Sequence, residues 1–156
     1  MHQVRIEFAT ADDLPAMADL LHELFTLEND FVPDREKQLA GFHLILDHPD
    51  MGRLFVLRVN GKAAGMANAL ITVSTAEGGR VLLLEDVIIK ANYRSQGLGQ
   101  KLVEHVLAWA ISEGMSRITL LADRDNTEAR VFYERMGFEP SAMMVLRWRL
   151  SECQRP

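Results

Sequence analysis

The sequence is poor in cysteine, has no long apolar run and carries no excess of basic residues. A single cysteine, Cys153, excludes a disulfide framework and a multi-thiolate metal site, and the five histidines have no metal-ligand spacing, so we expect no metal. No apolar run approaches the ~20 residues of a membrane span, and the N-terminus lacks the apolar core of a signal peptide. The formal net charge of −5 argues against nucleic-acid binding. These absences predict a cytoplasmic protein with neither a membrane nor a nucleic-acid partner.

The 156 residues fit one domain, with no repeat and no linker. Apolar alternation and short apolar runs predict six strands, in VRIEFA, LFVLRV, AAGMANALITVS, VLLLEDVIIK, RITLLA and MMVLRWRL. Helical spacing predicts helices after TADD, from about 35 to 47, from about 97 to 113, and in NTEARVFYERM. The order β-α-α-β-β-β-α-β-α-β combines hairpins with one crossover helix, so the predicted class is α/β, a mixed and mostly antiparallel sheet flanked by helices.

The segment YRSQGLGQKL lies between an apolar strand and a predicted helix, and it contains Arg94, Gly97 and Gly99. The first N–H groups of a helix have no intrahelical partner and attract anions, above all phosphates. Glycines let a phosphate approach those groups, and an arginine adds positive charge. The pattern predicts a diphosphate site. It is no P-loop, since no Ser or Thr follows Lys101, and no dinucleotide fingerprint, since Leu102 replaces the third glycine. The alternative is that the glycines only shape a tight turn.

Two segments resemble the GNAT superfamily of N-acetyltransferases. DVIIKANYRSQGLGQKL is similar to the family's acetyl-CoA loop, R/Q-x-x-G-x-G/A after a strand, with the motif positions at Arg94, Gly97 and Gly99. DRDNTEARVFYERMGFE is similar to its second motif, N-x-x-A-x-x-F-Y-x-x-x-G-F, which here is Asn126, Ala129, Phe132, Tyr133, Gly137 and Phe138. The two motifs stand in the family's order, and the strand order fits nearly the whole chain. Ala91 stands where many relatives have proline, and LEDVIIKANYRSQGLG also resembles amino-sugar acetyltransferases.

The resemblance implies a single N-acetyltransferase domain, 1–156, with acetyl-CoA as cosubstrate. Backbone N–H groups of the loop would bind the pyrophosphate, at Arg94, Ser95, Gln96, Gly97, Leu98, Gly99 and Gln100. The pantetheine arm would pair with the strand edge at Val87, Ile88 and Ile89. This strand must then diverge from RITLLA, which a bulge near Asp86 or Val87 would achieve. Asn126 and Tyr133 would complete the cofactor site, although Asn126 is at least as well suited to cap the following helix.

Direct attack of an amine on the thioester is also implied, and it needs an acid and a base. Tyr133 occupies the family's general-acid position, and its reference pKa of about 10 lies close to the ~8.5 of a thiol; the alternative is a packed core residue. Glu85 is the candidate base, because a carboxylate inside VLLLEDVII is unusual, and a structural ion pair or a water chain is the alternative. Alternation places Glu85 on the face of Val87, whose N–H could polarise the thioester carbonyl, and turns Asp86 the other way.

The resemblance also implies where the acceptor amine binds. In the family it is built from the first two helices, their connection and later loops. The connection here is TLENDFVPDRE, which makes Glu28, Asp30 and Phe31 the candidate substrate-binding residues. Acidic groups beside an aromatic ring suit a cationic amine, and the alternative is a solvated charged loop. We expect a small-molecule primary amine as acceptor. The rivals are a peptide or protein N-acetyltransferase and a non-catalytic acyl-CoA sensor. By resemblance alone we expect a homodimer.

Overall fold

The structure, a computed structural model, describes residues 2–27 and 33–150, without the side chains of 25–27. It divides into two compact units, Met1–Asp123 and Arg124–Pro156, and each is described by itself. The elements of the first unit are β1 (Val4–Phe8), α1 (Leu14–Leu27), α2 (Arg35–Leu46), β2 (Gly52–Val59), β3 (Lys62–Ser74), β4 (Gly79–Ile89), α3 (Leu98–Ser112) and β5 (Ile118–Leu120). Short 3-10 turns precede α1, at Ala11–Asp13, and α3, at Ala91–Tyr93.

One sheet, in the order β1-β2-β3-β4-β5, organises the first unit. Strands β1 to β4 pair antiparallel, and β5 pairs parallel with β4 because α3 provides a crossover between them. The β2–β3 hairpin turns at Asn60 and Gly61, whose φ angles of 50° and 82° are those that an Asn-Gly turn provides. The predicted class, a mixed and mostly antiparallel sheet flanked by helices, is confirmed.

Helices α1 and α2 cover one face of the sheet, called here the α1/α2 face. Leu14, Met17 and Leu21 recur at helical spacing along α1, and each of these side chains is buried. They belong to one apolar cluster with residues of β2, β3 and β4, namely Leu54, Val56, Met66 and Ile88. Val56, Met66 and Ile88 lie opposite one another on neighbouring strands. This cluster fixes the sheet face on which the first two helices lie.

Helix α3 packs against the opposite face of the sheet. Its residues Leu102, Val103 and Val106 are buried. Phe55 lies between two α1/α2-face residues of β2, so it points to the other side, where its ring meets Trp109 of α3 at 5.3 Å in an edge-on contact. His105 also packs against Phe55, with ring centroids 5.8 Å apart. Because both sheet faces are covered, β2 and β3 are apolar on both sides.

The second unit contains α4 (Thr127–Met136), which ends at Gly137 in a left-handed conformation. The predicted final strand, MMVLRWRL, is absent from the described residues, so the last element of the predicted order was wrong. An alternating sequence forms a strand only where a neighbouring edge supplies hydrogen bonds, and the described sheet has no sixth strand. Within the described ranges, no helix has the length and apolar content to cross a membrane.

Candidate active site

A bulge in β4 is centred on Asp86. Met66 of β3 pairs with Ile88, whereas Asn68, two residues further on, pairs with Glu85, so β4 contains one residue more than the facing part of β3. Asp86 has a φ of 54°, a left-handed conformation that costs a non-glycine residue roughly 1 kcal/mol or more. The bulge predicted for this part of the strand is confirmed.

The bulge changes which side chains of β4 share a face. Residues directly opposite each other in an antiparallel pair lie on the same face. Glu85 is opposite Asn68, and Ile88 is opposite Met66, which belongs to the α1/α2 face. Glu85 therefore lies on the α1/α2 face, and the prediction that it shares a face with Val87 was wrong. The extra residue shifts the alternation by one position, and a shift of one exchanges the two faces.

Asp86 is linked to the same side of the sheet by a hydrogen bond. Asn68 Nδ2 donates to Asp86 Oδ2 over 3.2 Å, so the prediction that Asp86 turns away from Glu85 was also wrong. Burial raises the pKa of Asp86 above its ordinary value of 3.8, and the hydrogen bond from Asn68 partly opposes that rise. The bulge thus groups two carboxyl groups and one amide.

The strands β4 and β5 diverge just before the bulge. They pair over Leu82–Leu84 only, and β5 ends at Leu120, whereas β4 continues to Ile89. Beyond this pairing, no strand in the described part of the chain lies along that side of β4. An extended ligand arm could therefore add to the edge at Val87–Ile89 in the manner of a further strand. The predicted divergence of this strand from RITLLA, which forms β5, is therefore present.

The loop before α3 has the backbone of an anion site. Ser95 and Gly97 have φ angles of 61° and 77°, and Gly97 is the N-cap of α3 without a side-chain cap. No heavy atom lies within 4 Å of the place where a Cβ on Gly97 would be. Glycine is therefore favoured at this position by its positive φ and not by a lack of space. The first backbone bond of the helix runs from Lys101 N to Gly97 O, which leaves the N–H groups of Leu98–Gln100 without an intrahelical partner. The first turn also has no acidic residue, so an anion would meet no opposing charge there.

Arg94 holds the base of this loop in place. Its Nε donates to the carbonyl oxygen of Ile89 at 2.7 Å, and its Nη2 donates to Glu23 Oε1 of α1, also at 2.7 Å. One guanidinium thus joins the end of β4, the loop and α1. The structure shows this positioning role for Arg94, and its direct contact with a diphosphate stays a prediction.

The second unit carries the other predicted site residues, Asn126 and Tyr133. Asn126 is the N-cap of α4, where its side chain accepts a hydrogen bond from Ala129 N at 3.1 Å, so the capping alternative is confirmed and the cofactor role stays a prediction. Tyr133 packs edge-on against Phe132 and Phe138, with ring centroids 5.0 and 5.6 Å apart. Burial raises the pKa of Tyr133 to about 12.

The predicted acceptor residues, Glu28, Asp30 and Phe31, lie outside the described residues. The helices on either side of that segment pack on the α1/α2 face, which also contains Glu85. Across residues 2–27 and 33–150, no group of three or more His, Cys, Asp or Glu side chains could hold a metal ion. Asn68 is the site residue that the sequence analysis missed, and its only signal is an amide inside the apolar run GMANALITV.

Comparison with known proteins agrees with this geometry. Residues 14–138 match the acetyltransferase (GNAT) family, a stretch of well over half the chain that contains the bulge, the glycine loop and α4. The chain belongs to the GNAT family of acetyltransferases. This confirms the family that the two sequence motifs indicate.

Individual relatives are more distant. An uncharacterized N-acetyltransferase of Methanocaldococcus jannaschii is 26% identical over 135 residues, which cover 86% of this chain and 60% of that protein. The glucosamine 6-phosphate N-acetyltransferase of Trypanosoma brucei brucei is 31% identical over 88 residues, 55% of this chain and 57% of that protein. The chain therefore matches somewhat under two thirds of the length of these curated relatives.

A solved structure shows the same fold. A predicted acetyltransferase from Clostridium acetobutylicum, whose crystal structure was determined with acetyl-CoA, has a TM-score of 0.79 against this chain. The two are 14% identical, and the similarity covers 98% of this chain and 100% of the other. At that identity the likeness concerns the fold alone.

Proposed function

We propose that the protein transfers an acetyl group from acetyl-CoA to the primary amine of a small molecule. The observation that carries the proposal is the divergence of β4 from β5 at a bulge, next to the glycine loop that begins α3. The open strand edge suits an extended amide-containing arm, and the helix N-terminus suits a diphosphate. Acetyl-CoA contains both groups in one molecule, and membership of the acetyltransferase family supports its use.

The residues of the first unit fit this cosubstrate. The N–H groups of Leu98–Gln100 have no intrahelical partner, and the loop from Arg94 to Gly97 is exposed, so a pyrophosphate can reach them. The edge at Val87–Ile89 would hold the pantetheine arm, and the Val87 N–H would polarise the thioester carbonyl as an oxyanion donor does. Each of these roles rests on the backbone and not on a charged side chain.

Glu85 takes the proton of the acceptor's ammonium group in this proposal, directly or through a water chain. Alkylamines are mostly protonated at neutral pH, with a reference pKa of about 10.4 for lysine, so a base must act before attack. Glu85 is half-buried on the α1/α2 face, beneath the two helices that flank the predicted acceptor segment. The freed nitrogen attacks the carbonyl carbon, an N–C bond forms, the C–S bond breaks, and the nitrogen releases its second proton to solvent to leave the amide.

Tyr133 assists the departing thiolate by donating a hydrogen bond. With its pKa raised to about 12, Tyr133 is less acidic than a thiol of pKa ~8.5 by about 3.5 pH units. Complete proton transfer to the thiolate is therefore uphill by about 5 kcal/mol. The reference pKa values of a tyrosine and a thiol lie close together, but the burial of Tyr133 moves its pKa away from that of the thiol. Tyr133 consequently stabilises the thiolate as a donor, and solvent supplies the proton that remains on CoA.

The acceptor class rests on similarity. A small-molecule amine is proposed because the LEDVIIKANYRSQGLG segment resembles amino-sugar acetyltransferases and because one relative is named for glucosamine 6-phosphate. Glu28, Asp30 and Phe31 are kept as candidate contacts of that amine. A homodimer and a cytoplasmic location are also proposed, from the family resemblance and the sequence composition.

The test is CoA thiol release from acetyl-CoA with a panel of polyamines, amino sugars, aminoglycosides, amino acids and short peptides. We expect release that depends on a small amine, with the acetylated amine identified by mass spectrometry. Release with peptides alone would move the acceptor class to peptides or proteins. If the protein binds acetyl-CoA but releases no CoA thiol with any amine of the panel or with a proteome-derived peptide pool, that result would favour a non-catalytic acyl-CoA sensor.

A matched pair of variants tests the loop separately. Gly99→Trp fills the start of α3, so we expect acetyl-CoA affinity measured by calorimetry to fall by more than ~100-fold. Gly79→Trp places the same side chain at the start of β4, where a Cβ would have no heavy atom within 4 Å, and should leave the affinity unchanged. Equal affinity in both variants would contradict a pyrophosphate site at the start of α3.

A further inference from the structure

Asn68 is a buried amide with one unsatisfied atom. Its side chain lies on β3 opposite Leu54 and Glu85 and is only 5% exposed. Nδ2 donates to Asp86, but Oδ1 has no hydrogen-bond partner among the described residues. A buried acceptor without a partner is unusual in folded proteins and destabilises the chain that carries it. Such an atom calls for a donor that the described residues do not supply.

Asp86 determines which end of the amide is left unsatisfied. Asp86 Oδ2 accepts the hydrogen bond that Asn68 Nδ2 donates, so the Nδ2 end of the amide is turned towards Asp86. Oδ1 then points away from Asp86. The positive φ of Asp86 and the bulge around it bring this carboxylate to its position, since a regular strand would have placed it on the other face.

The unsatisfied oxygen belongs to a residue that lies directly beside the proposed base. Asn68 shares the α1/α2 face with Glu85, the base of the proposed reaction, and is its direct cross-strand neighbour. The strand edge proposed for the pantetheine arm begins two residues after Glu85. An amine that gives its proton to Glu85 would therefore lie beside the side chain of Asn68.

We propose that Asn68 Oδ1 accepts a hydrogen bond from the acceptor's amine nitrogen, and that Asp86 is the positioning residue that presents this oxygen. The inference rests on the proposed acetyl transfer. An amine keeps N–H donors both before and after it loses the proton taken by Glu85, so this contact persists through the reaction. With one N–H bound to Asn68, the nitrogen lone pair is directed to the carbonyl carbon. The acetyl thioester itself has no donor that could satisfy the same oxygen.

The decisive variant is Asn68→Leu, which keeps the branch at Cγ and removes both polar atoms. We expect kcat/KM for the amine to fall about 10- to 100-fold, with acetyl-CoA affinity unchanged. The melting temperature should change little, because the loss of the unsatisfied oxygen offsets the loss of the hydrogen bond to Asp86. The control is Gln3→Leu, which removes an exposed amide next to β1, at the far edge of the sheet, and should leave the kinetics unaltered. Unchanged amine kcat/KM in Asn68→Leu would overturn the proposal.

Asp86→Asn tests the orientation without emptying the site. An asparagine at 86 can donate to Asn68 Oδ1 and so satisfy it within the protein. We expect KM for the amine to rise and kcat to change less, whereas a purely structural role would leave the KM unchanged. An unchanged KM in this variant would overturn the positioning role of Asp86.

Binding of the amine in the presence of CoA, measured by calorimetry, separates this inference from the proposed function. If the protein binds a panel amine but does not acetylate it, weaker binding in Asn68→Leu still supports the contact, although the transferase proposal fails. Equal amine binding in the two proteins overturns the contact even if the transferase proposal holds. Absence of amine binding to the unaltered protein overturns both.

Discussion

Replacing Tyr133 with phenylalanine removes one hydroxyl and keeps the ring contacts with Phe132 and Phe138. A hydrogen bond to a charged partner contributes about 1.5–3 kcal/mol, so losing the donor to the leaving thiolate should lower kcat/KM about 10- to 150-fold. A true proton transfer would cost more, about 10²- to 10⁴-fold for general acid catalysis. The raised pKa of about 12 favours the smaller loss.

The assay is CoA thiol release followed from pH 6 to pH 10, with Tyr93→Phe as the control for removing a tyrosine hydroxyl elsewhere. Because Tyr133 stays protonated over this range, the two variants and the unaltered protein should have pH profiles of the same shape. Full activity in Tyr133→Phe would refute the donor role of Tyr133. A loss of activity in the unaltered protein between pH 8 and pH 10 that Tyr133→Phe abolishes would refute it as well.

Further expectations concern Tyr133, Asp86 at the bulge, and the N-cap residues of α3 and α4. Ionisation of Tyr133 is disfavoured in the folded chain, so stability should fall by about 2 kcal/mol as pH rises from 10 to about 12, and urea unfolding of Tyr133→Phe should lack that part of the loss. The raised pKa of Asp86 means that the folded chain binds its proton more readily than the unfolded chain, so Asp86→Asn should be more stable than the unaltered protein at pH 7, with the gain shrinking towards pH 4 in urea titrations. Gly97→Ala forces a side chain into φ 77°, at about 1–2 kcal/mol, and should weaken acetyl-CoA binding in calorimetry; unchanged binding would show that the loop tolerates the new side chain. Asn126→Ala should lose about 1 kcal/mol and lower the melting temperature by about 2–4 °C, and a large loss of acetyl-CoA affinity instead would indicate a cofactor contact.

Local patterns were sufficient for most of the fold. The NG pair predicts the β2–β3 hairpin, because both residues tolerate positive φ, and the helical spacing of apolar residues predicts α1 and α3. The final strand was not predictable in this way. The alternation in MMVLRWRL describes a side-chain pattern, whereas a strand also needs a partner edge, and that depends on the rest of the sheet.

The position of the bulge in the candidate site could be predicted from the sequence, but the sheet face on which its side chains lie could not. The position of the bulge followed from what the family's cofactor requires, but its effect on Glu85 did not, because alternation along a strand holds only while the register is regular. Asn68 lies 17 residues before Glu85 in the chain and becomes its neighbour only through strand pairing. The pKa of Tyr133 likewise depends on burial, which no residue spacing reports.

The two carboxyl groups at the bulge also bear on solubility. VLLLEDVII is the kind of apolar, β-prone segment that joins other chains edge to edge, and here part of its edge has no described strand beside it. Glu85 and Asp86 interrupt that segment with charge, and the bulge twists it away from the flat geometry that intermolecular sheets need. The two residues at the bulge therefore interrupt a segment that would otherwise favour aggregation, and a ligand lying along the edge would add a second barrier.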